Sequence, residues 1–314
     1  MNFKHLSLSL LKYIVIILIF IISSSSNPLK TISYDSDYVQ VSSVTHEGEE
    51  YKMVYMKRSG KKVKAKYFAF KKNQYTPVHE AYNQWKKDKN VIMLCSGTYM
   101  DYEVDRYGSR TWSLVGLTID KGRVVNPKLE TGRMEGLVIV YPKVGGGGIA
   151  VSNINEGNLK LSGSGVSSNR TYDLRKPADL TIFKRWAQNN GATVFQTHLL
   201  AWNNELSFKS NYATKPATRE RRFLAIGYAP NGDVIHCIVH KPEYQSLYES
   251  SKKVLNFLKT RKRLRIVALL NLDTGMQNVC TVFTKSGAVN KMIQGPTRVS
   301  DAENLLVYYY DPNP

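Results

Sequence analysis

Past residue 30 the chain runs in short apolar or alternating stretches bounded by turn residues, the pattern of strands. "YVQVSSV", "EYKMVYMKR", "KVKAKYFAF" and "NVIMLCSG" each read as one strand. In the third, Lys62, Lys64 and Lys66 alternate with Val63, Ala65 and Tyr67, which predicts one wet face and one dry face. "TPVHEAYNQWKK" predicts a short helix, with Thr76 and Pro77 as cap and first-turn pair and Tyr82 and Trp85 on one side. "SLVGLTIDKGRVV" turns through its Asp-Lys-Gly, and "GLVIVYP" and "GIAVSNI" follow as strands.

Two further helices carry stronger signals. "ADLTIFKRWAQNNG" is expected to start at Asp179, to place Ile182, Phe183 and Trp186 on one face, and to stop at Asn190-Gly191. "EYQSLYESSKKVLNFLKT" aligns Leu247, Ser251, Val254, Leu255 and Leu258, with Glu243 and Glu249 early and Lys259 late. Each helix feeds a strand, "ATVFQTHLL" and "LRIVALLNL", and "RRFLAIGYAPNGDVIHCIV" between them is a hairpin through Asn231-Gly232. The sum is an α+β fold of mixed, strand-rich sheets packed with a few helices. No internal repeat and no Pro/Ser linker divides it, so a single domain is expected, with strands of 31–75 packing on a main unit of 76–314.

The first residues stand apart. "MNFKHLSLSLLK" is basic, "YIVIILIFII" is apolar, and "SSSSNP" is small and polar. Residues 1–26 are therefore expected to be a signal peptide, with an uncleaved N-terminal anchor as the alternative and the only membrane contact. No cysteine follows the apolar run, which disfavours a lipoprotein anchor. The expected location is periplasmic, cell-envelope or secreted, of bacterial type. The formal charge of +19, or +17 without Lys4 and Lys12, would raise nucleic acid for a cytoplasmic chain. For an exported chain it points to other polyanions, and no nucleic-acid partner is expected. Cys95, Cys237 and Cys280 have no metal-ligand spacing and each lies in an apolar strand; buried thiols are expected, a Cys95–Cys280 disulfide staying open.

Chemistry is sparse. "VGGGG" at 144–148 runs into a strand where a phosphate cradle would open a helix, so it reads as a loop. There is no HExxH, CxxC or GxSxG, which excludes the familiar zinc and serine hydrolases. His236 and His240 flank an apolar strand, His79 lies on a helix, and His198 ends a strand. The acids at strand exits remain: Asp101 after "CSGTYM" and Asp273 after "ALLNL". Burying an acid is costly unless it meets water, a cation or a ligand. Two in one cleft could share acid and base work or hold a cation; the alternative is that both cap turns.

In order, "VIMLCSGTYMD", "VGLTIDKGRVVNP", "GLVIVY", "VFQTHLLAWNNEL", "RRFLAIGYAPNGDVIHCIV" and "ALLNLDTG" resemble the phosphodiester glycosidase family over roughly residues 75–311. "CSGTYMD" lies where the family has a strand ending in Asn-Gly-Gly-Phe-Phe: Ser96 replaces the Asn, Gly97 is kept, Thr98 replaces the second Gly, and Tyr99 keeps an aromatic. "QTHLLAWNN" lies at a Gly-Pro-x-Leu segment, with Leu200 matching the leucine. "RRFLAIG" matches Arg-Thr-Ala-Ile-Gly and makes Arg222 the counterpart of its arginine. "NLDTG" matches Asn-Leu-Asp-Gly-Gly, keeping Asn271, Leu272, Asp273 and Gly275. Met276, Gln277 and Asn278 depart from the Gly-Ser-Ser or Gly-Ser-Thr that follows in the family.

The resemblance implies a hydrolase that cleaves a sugar from a sugar-phosphate diester in an envelope or extracellular glycan. Asp273, Arg222 and Asp101 would be catalytic, with Arg222 pairing with the phosphate. Ser96, Gly97, Thr98, Tyr99, His198, Asn271, Thr274, Gly275 and Gln277 would line the substrate. No cofactor is certain; a divalent cation such as calcium would suit oxygen-rich loops. The alternative is a catalytically inactive envelope protein that binds an anionic glycan or protein partner through the same cleft.

Overall fold

The computed structural model describes residues 34–69, 76–104, 106–108, 110–132, 134–141, 148–208, 220–275 and 277–314. The expected leader and Gly145–Gly147 lie outside them. Among the described residues no helix is long and apolar enough to cross a membrane.

An eleven-stranded sheet contains β1 (Val39–His46), β2 (Glu49–Lys57), β7 (Thr118–Asp120), β8 (Arg123–Asn126), β9 (Gly136–Tyr141), β10 (Gly148–Asn153), β13 (Thr193–Trp202), β14 (Glu205–Leu206), β15 (Arg221–Tyr228), β16 (Val234–Lys241) and β17 (Arg265–Leu272). Its main path is β1-β2-β16-β15-β17-β13-β7-β8. A five-stranded sheet follows the order β19-β18-β4-β20-β3, built from β3 (Val63–Ala69), β4 (Asn90–Cys95), β18 (Cys280–Phe283), β19 (Val289–Gln294) and β20 (Asn304–Tyr310). Two small hairpins stand beside them, β5 (Met100–Val104) with β6 (Arg110–Leu114) and β11 (Leu159–Lys160) with β12 (Thr171–Tyr172). The named strand pairs all run antiparallel.

Alternation of side chains explains the layering. Leu224, Ile238, Leu270 and Leu272 from the large sheet meet Met93, Cys95, Val282, Leu306 and Tyr308 from the small one in an inter-sheet core. The large sheet's other face takes helix α3 (Leu247–Thr260), whose Val254, Phe257 and Leu258 pack on Phe223, Val239 and Leu269. Helix α2 (Pro177–Asn190) covers the same face further along through Phe183, Trp186 and Ala187. Helix α1 (Val78–Trp85) covers the outer face of the small sheet with Val78 and Tyr82 against Leu94 and Leu305. The molecule is thus an α+β chain of helix, sheet, sheet, helix.

Local chemistry accounts for most boundaries. Lys121 and Gly122 both take positive φ, the conformation a tight Asp-Lys-Gly hairpin needs, and Gly191 ends α2 in the left-handed region. Three details differ from expectation. Pro77, not Thr76, caps α1, and no side chain bonds its first amides. Helix α2 begins at Pro177, because proline's fixed φ suits the first turn. Helix α3 begins only after Ser246, whose Oγ accepts the Glu249 amide, so Glu243 lies outside it.

Glu243 serves another purpose. The ammonium of Lys241 is fully buried, and it binds Glu49 and, at 2.6 Å, Glu243. Lys253 from α3 also grips Glu49, and Gln245 donates to it at 3.0 Å. One acid on β2 thereby ties an early strand to β16 and α3. Burial pushes the Glu49 carboxyl up, but hydrogen bonds from Lys241, Lys253 and Gln245 outweigh it and hold it at about 2. Cys95, Cys237 and Cys280 are buried free thiols, with Cys95 directly opposite Cys280 across β4 and β18.

A carboxyl held below its unfolded value stabilises the fold above that value and loses the contribution as pH falls toward 2. Between pH 5 and 2 the wild type is expected to lose more urea stability than Glu49→Gln. Parallel pH profiles for the two proteins would remove this account of Glu49.

Candidate functional site

The exits of β4 and β17 meet where the two sheets come together. Ser96, one residue past β4, donates its backbone N–H to the Val279 carbonyl at 3.1 Å and its hydroxyl to the Gln277 carbonyl. The two motifs "CSGTYMD" and "NLDTGMQNV" are therefore joined through backbone. The structure divides their residues into a brace bonded to backbone and a cluster around Tyr99.

The brace holds Ser96, Gly97, Thr98, Arg222, Thr274 and Gln277. Gly97 and Thr98 present their amides to Asn304 Oδ1 at 2.7 and 3.2 Å, fixing the turn against β20. A Cβ on Gly97 would lie 2.8 Å from the Tyr67 ring, which is why only glycine fits. The Thr98 hydroxyl lies 2.7 Å from the Gln196 carbonyl and 2.9 Å from that of Val115. Thr274 donates to the Glu220 carbonyl at 2.8 Å, and Gln277 Oε1 accepts the Glu303 amide at 3.0 Å. The side chains of Ser96, Thr98, Thr274 and Gln277 are thus committed to backbone partners.

Arg222 belongs to the same brace. It stands opposite Leu272, so it points into the inter-sheet space, and it is 0% exposed. Its guanidinium donates to the Val279 carbonyl at 3.3 Å and to Asn278 Oδ1 at 3.0 Å, while Asn278 donates onward to the Glu220 carboxylate. Burial pushes the Glu220 carboxyl up, but the Asn278 bond and the nearby charges of His240 and Arg222 hold it below its ordinary value. The imidazole of His240, buried beside Arg222, is pushed down to about 4 by desolvation and by that positive charge.

The cluster gathers Tyr99, His198, Asn271 and Asp273, with Arg221 in place of Arg222. His198 stands opposite Asn271 across β13 and β17, and the Tyr99 ring stacks on the His198 ring at 4.9 Å and 27°. Asn271 Nδ2 donates to the Tyr99 hydroxyl, while its buried Oδ1 has no hydrogen-bond partner. Asp273 is 2% exposed and accepts the Gly275 amide at 2.6 Å. Desolvation first, then the Asp273 charge, drive the Tyr99 hydroxyl far above its usual range, and the Arg221 charge partly opposes them. The acid and a guanidinium thus act on one phenol. Tyr99, His198 and Arg221 are half-buried, the more exposed members of the cluster.

Asp101 is exposed on the β5–β6 hairpin and accepts the Tyr102 amide at 2.8 Å. Among the described residues no three His, Cys, Asp or Glu side chains gather to hold a metal, so no residues are assigned to a divalent cation. Arg221, Glu220 and Asn304 were not singled out in the sequence, while His240 figured there only as a histidine flanking a strand and Asn278 only as a departure from the family pattern. Only Arg221 had a signal there: in "RRF" the two arginines of one strand must point to opposite faces.

No family model and no curated protein matches the chain. Among solved structures it is similar to the catalytic domain of zebrafish N-acetylglucosamine-1-phosphodiester alpha-N-acetylglucosaminidase, auto-inhibited by its pro-peptide, at TM-score 0.44 and 12% identity, covering 90% of this chain and 87% of that one. A hypothetical protein from Synechocystis gives TM-score 0.40 and 12% identity over 92% of this chain and 65% of that one. A Burkholderia pseudomallei protein named as a candidate exported protein gives 0.44 and 10% over 84% and 74%.

The two arginines are expected to separate on substitution. Arg222→Ala leaves Asn278 and the Val279 carbonyl without their donor inside the fold, a loss of about 3 kcal/mol in urea unfolding. Arg221→Gln costs clearly less by the same measurement. Equal losses would contradict the division between the brace and the half-buried cluster.

Proposed function

We propose that the chain is a phosphodiester glycosidase-like hydrolase acting at the Tyr99–His198–Asn271–Arg221–Asp273 cluster. The observation that carries this reading is the buried, unpartnered Asn271 Oδ1 beside an acid and a phenol. A buried acceptor without a donor is costly, and a sugar hydroxyl would satisfy it. Support comes also from the motifs that supply Asn271, Asp273 and Tyr99.

The substrate is a sugar joined through phosphate to a glycan of the envelope or the extracellular space. Arg221 takes the phosphate role expected of Arg222, since a guanidinium offers a planar fork of donors to an oxyanion. Tyr99, held protonated by its surroundings, serves as a donor, and its ring with that of His198 forms the entrance. Asp273 is buried and its charge is felt by Tyr99, which puts acid and phenol at the same end of the substrate. The carboxylate accepts a proton from an attacking water as the water oxygen bonds to the anomeric carbon. The bond from that carbon to the phosphate oxygen breaks, and its electron pair leaves with the phosphate. Phosphate leaves more easily than an alcohol, so a second carboxylic acid near Asp273 is not required for the leaving group.

The test is release of free sugar from a panel of sugar-phosphate-sugar diesters by the purified chain. Arg221→Gln is expected to lower turnover by about a hundredfold, the usual effect of losing one transition-state donor. Asp273→Asn is expected to lower it by about a hundredfold or more, as for a lost general base. No release from any diester, together with binding of an anionic glycan, would leave the inactive binding protein as the better reading. Full turnover in both variants would move the chemistry elsewhere.

A further inference from the structure

The hairpin that leaves the site is unusual in what it shows to water. Its sequence, "MDYEVDRYGSRTWSL" at 100–114, alternates strictly on the outgoing strand, so Met100, Tyr102 and Val104 share one face. Met100 stands opposite Leu114 and Tyr102 opposite Trp112. The first pair is anchored: Leu114 is buried in the inter-sheet core and Met100 packs against it. The next pair on the same face is not, with Tyr102 39% and Trp112 41% exposed and their rings 4.8 Å apart at 62°. Val104 and, at the tip, Tyr107 are more exposed still, and the Arg106 guanidinium lies 4.7 Å from the Tyr107 ring centre.

Scattered surface hydrophobics need no explanation, but a cluster does. Seven large apolar side chains are exposed among the described residues, and four of them, Tyr102, Val104, Tyr107 and Trp112, lie on this hairpin. The hairpin is also continuous with the site. Tyr99, whose ring covers His198, immediately precedes it, and the Val115 amide closes its base on the Tyr99 carbonyl at 2.8 Å.

We propose that the hairpin is a saccharide-binding arm, on which Tyr102 and Trp112 stack against a neutral sugar ring joined to the group held at Asp273 and Arg221. The second half of that statement rests on the hydrolase reading; sugar binding by the arm does not. Three features favour this occupant. Aromatic rings with a polar tip suit a pyranose, which offers an apolar C–H face and a rim of hydroxyls. Counted along the sequence, residues 100–114 hold three acids against two arginines in a strongly basic chain, which disfavours an anionic lipid surface. Five residues per strand and two strands give a face only about 17 Å long and 10 Å wide, far below the roughly 800 Å² per side of a stable protein interface.

The experiment titrates the purified chain with neutral trisaccharides of glucose, mannose and N-acetylglucosamine, reading tryptophan fluorescence and, independently, ligand-observed magnetic resonance. At least one sugar is expected to bind. Trp112→Ala and Tyr102→Ala each weaken that binding by about tenfold, and Trp112→Phe largely restores it. Absence of binding by the wild type, or equal binding by Trp112→Ala, overturns the arm. Binding to phosphatidylglycerol vesicles that Trp112→Ala abolishes, with no sugar bound, would also overturn it and assign the face to a membrane. Sugar binding without diester cleavage sinks the hydrolase and keeps the arm; cleavage without arm-dependent binding does the reverse.

Discussion

A buried guanidinium joins the two sheets. Arg222 rises from β15 of the large sheet and ends on the Val279 carbonyl and Asn278, just before β18 of the small one. Burying a cation is unfavourable unless it is hydrogen-bonded and its charge is met. Asn278 does both by accepting from Arg222 and donating to Glu220, so that a carboxylate balances the arginine at one remove. The loop of residues 273–279 is consequently held at both ends. Asp273 can be placed beside Tyr99 only because the far end of that loop cannot drift.

The glycine positions that resemble a known family show how such a loop tolerates change. Thr98 and Thr274 put hydroxyls where small residues would otherwise stand, and both hydroxyls are taken up by backbone carbonyls. They exchange backbone freedom for bracing. Gly97 has no such latitude, since the Tyr67 ring fills the place of its Cβ. Gly295 is similarly constrained, with the Asn278 carbonyl 2.0 Å from where a Cβ would sit.

Much of this was legible in the sequence, because much of it is local. Strand alternation, the Asp120–Gly122 and Asn231–Gly232 turns and the stop at Gly191 all depend on residues within a few positions of one another. Lys64 and Lys66 do line the wetter face of β3. What escaped depends on partners far away in the chain. Glu243 has the look of a helix-start acid until Lys241 claims it. Asn304 is unremarkable in "DAENLL", yet it holds the amides of Gly97 and Thr98 from more than 200 positions away. The exchange of Arg222 for Arg221 lies between these cases. The parity of the two arginines is local, but which face is dry follows from the pairing of β15 with β17.

The place of β20 sets an order of events. It lies between β3 and β4 in the small sheet, so strands synthesised early must keep a gap for a later one. Asn304, the first residue of that strand, also shapes the turn beneath Tyr99. Pairing across such separations makes folding slow, and here the small sheet cannot close until residues 304–310 have been synthesised. The turn that leads to Tyr99 therefore takes its shape only after residue 304 has joined the sheet, and a chain cut short of that residue would leave the amides of Gly97 and Thr98 without their acceptor.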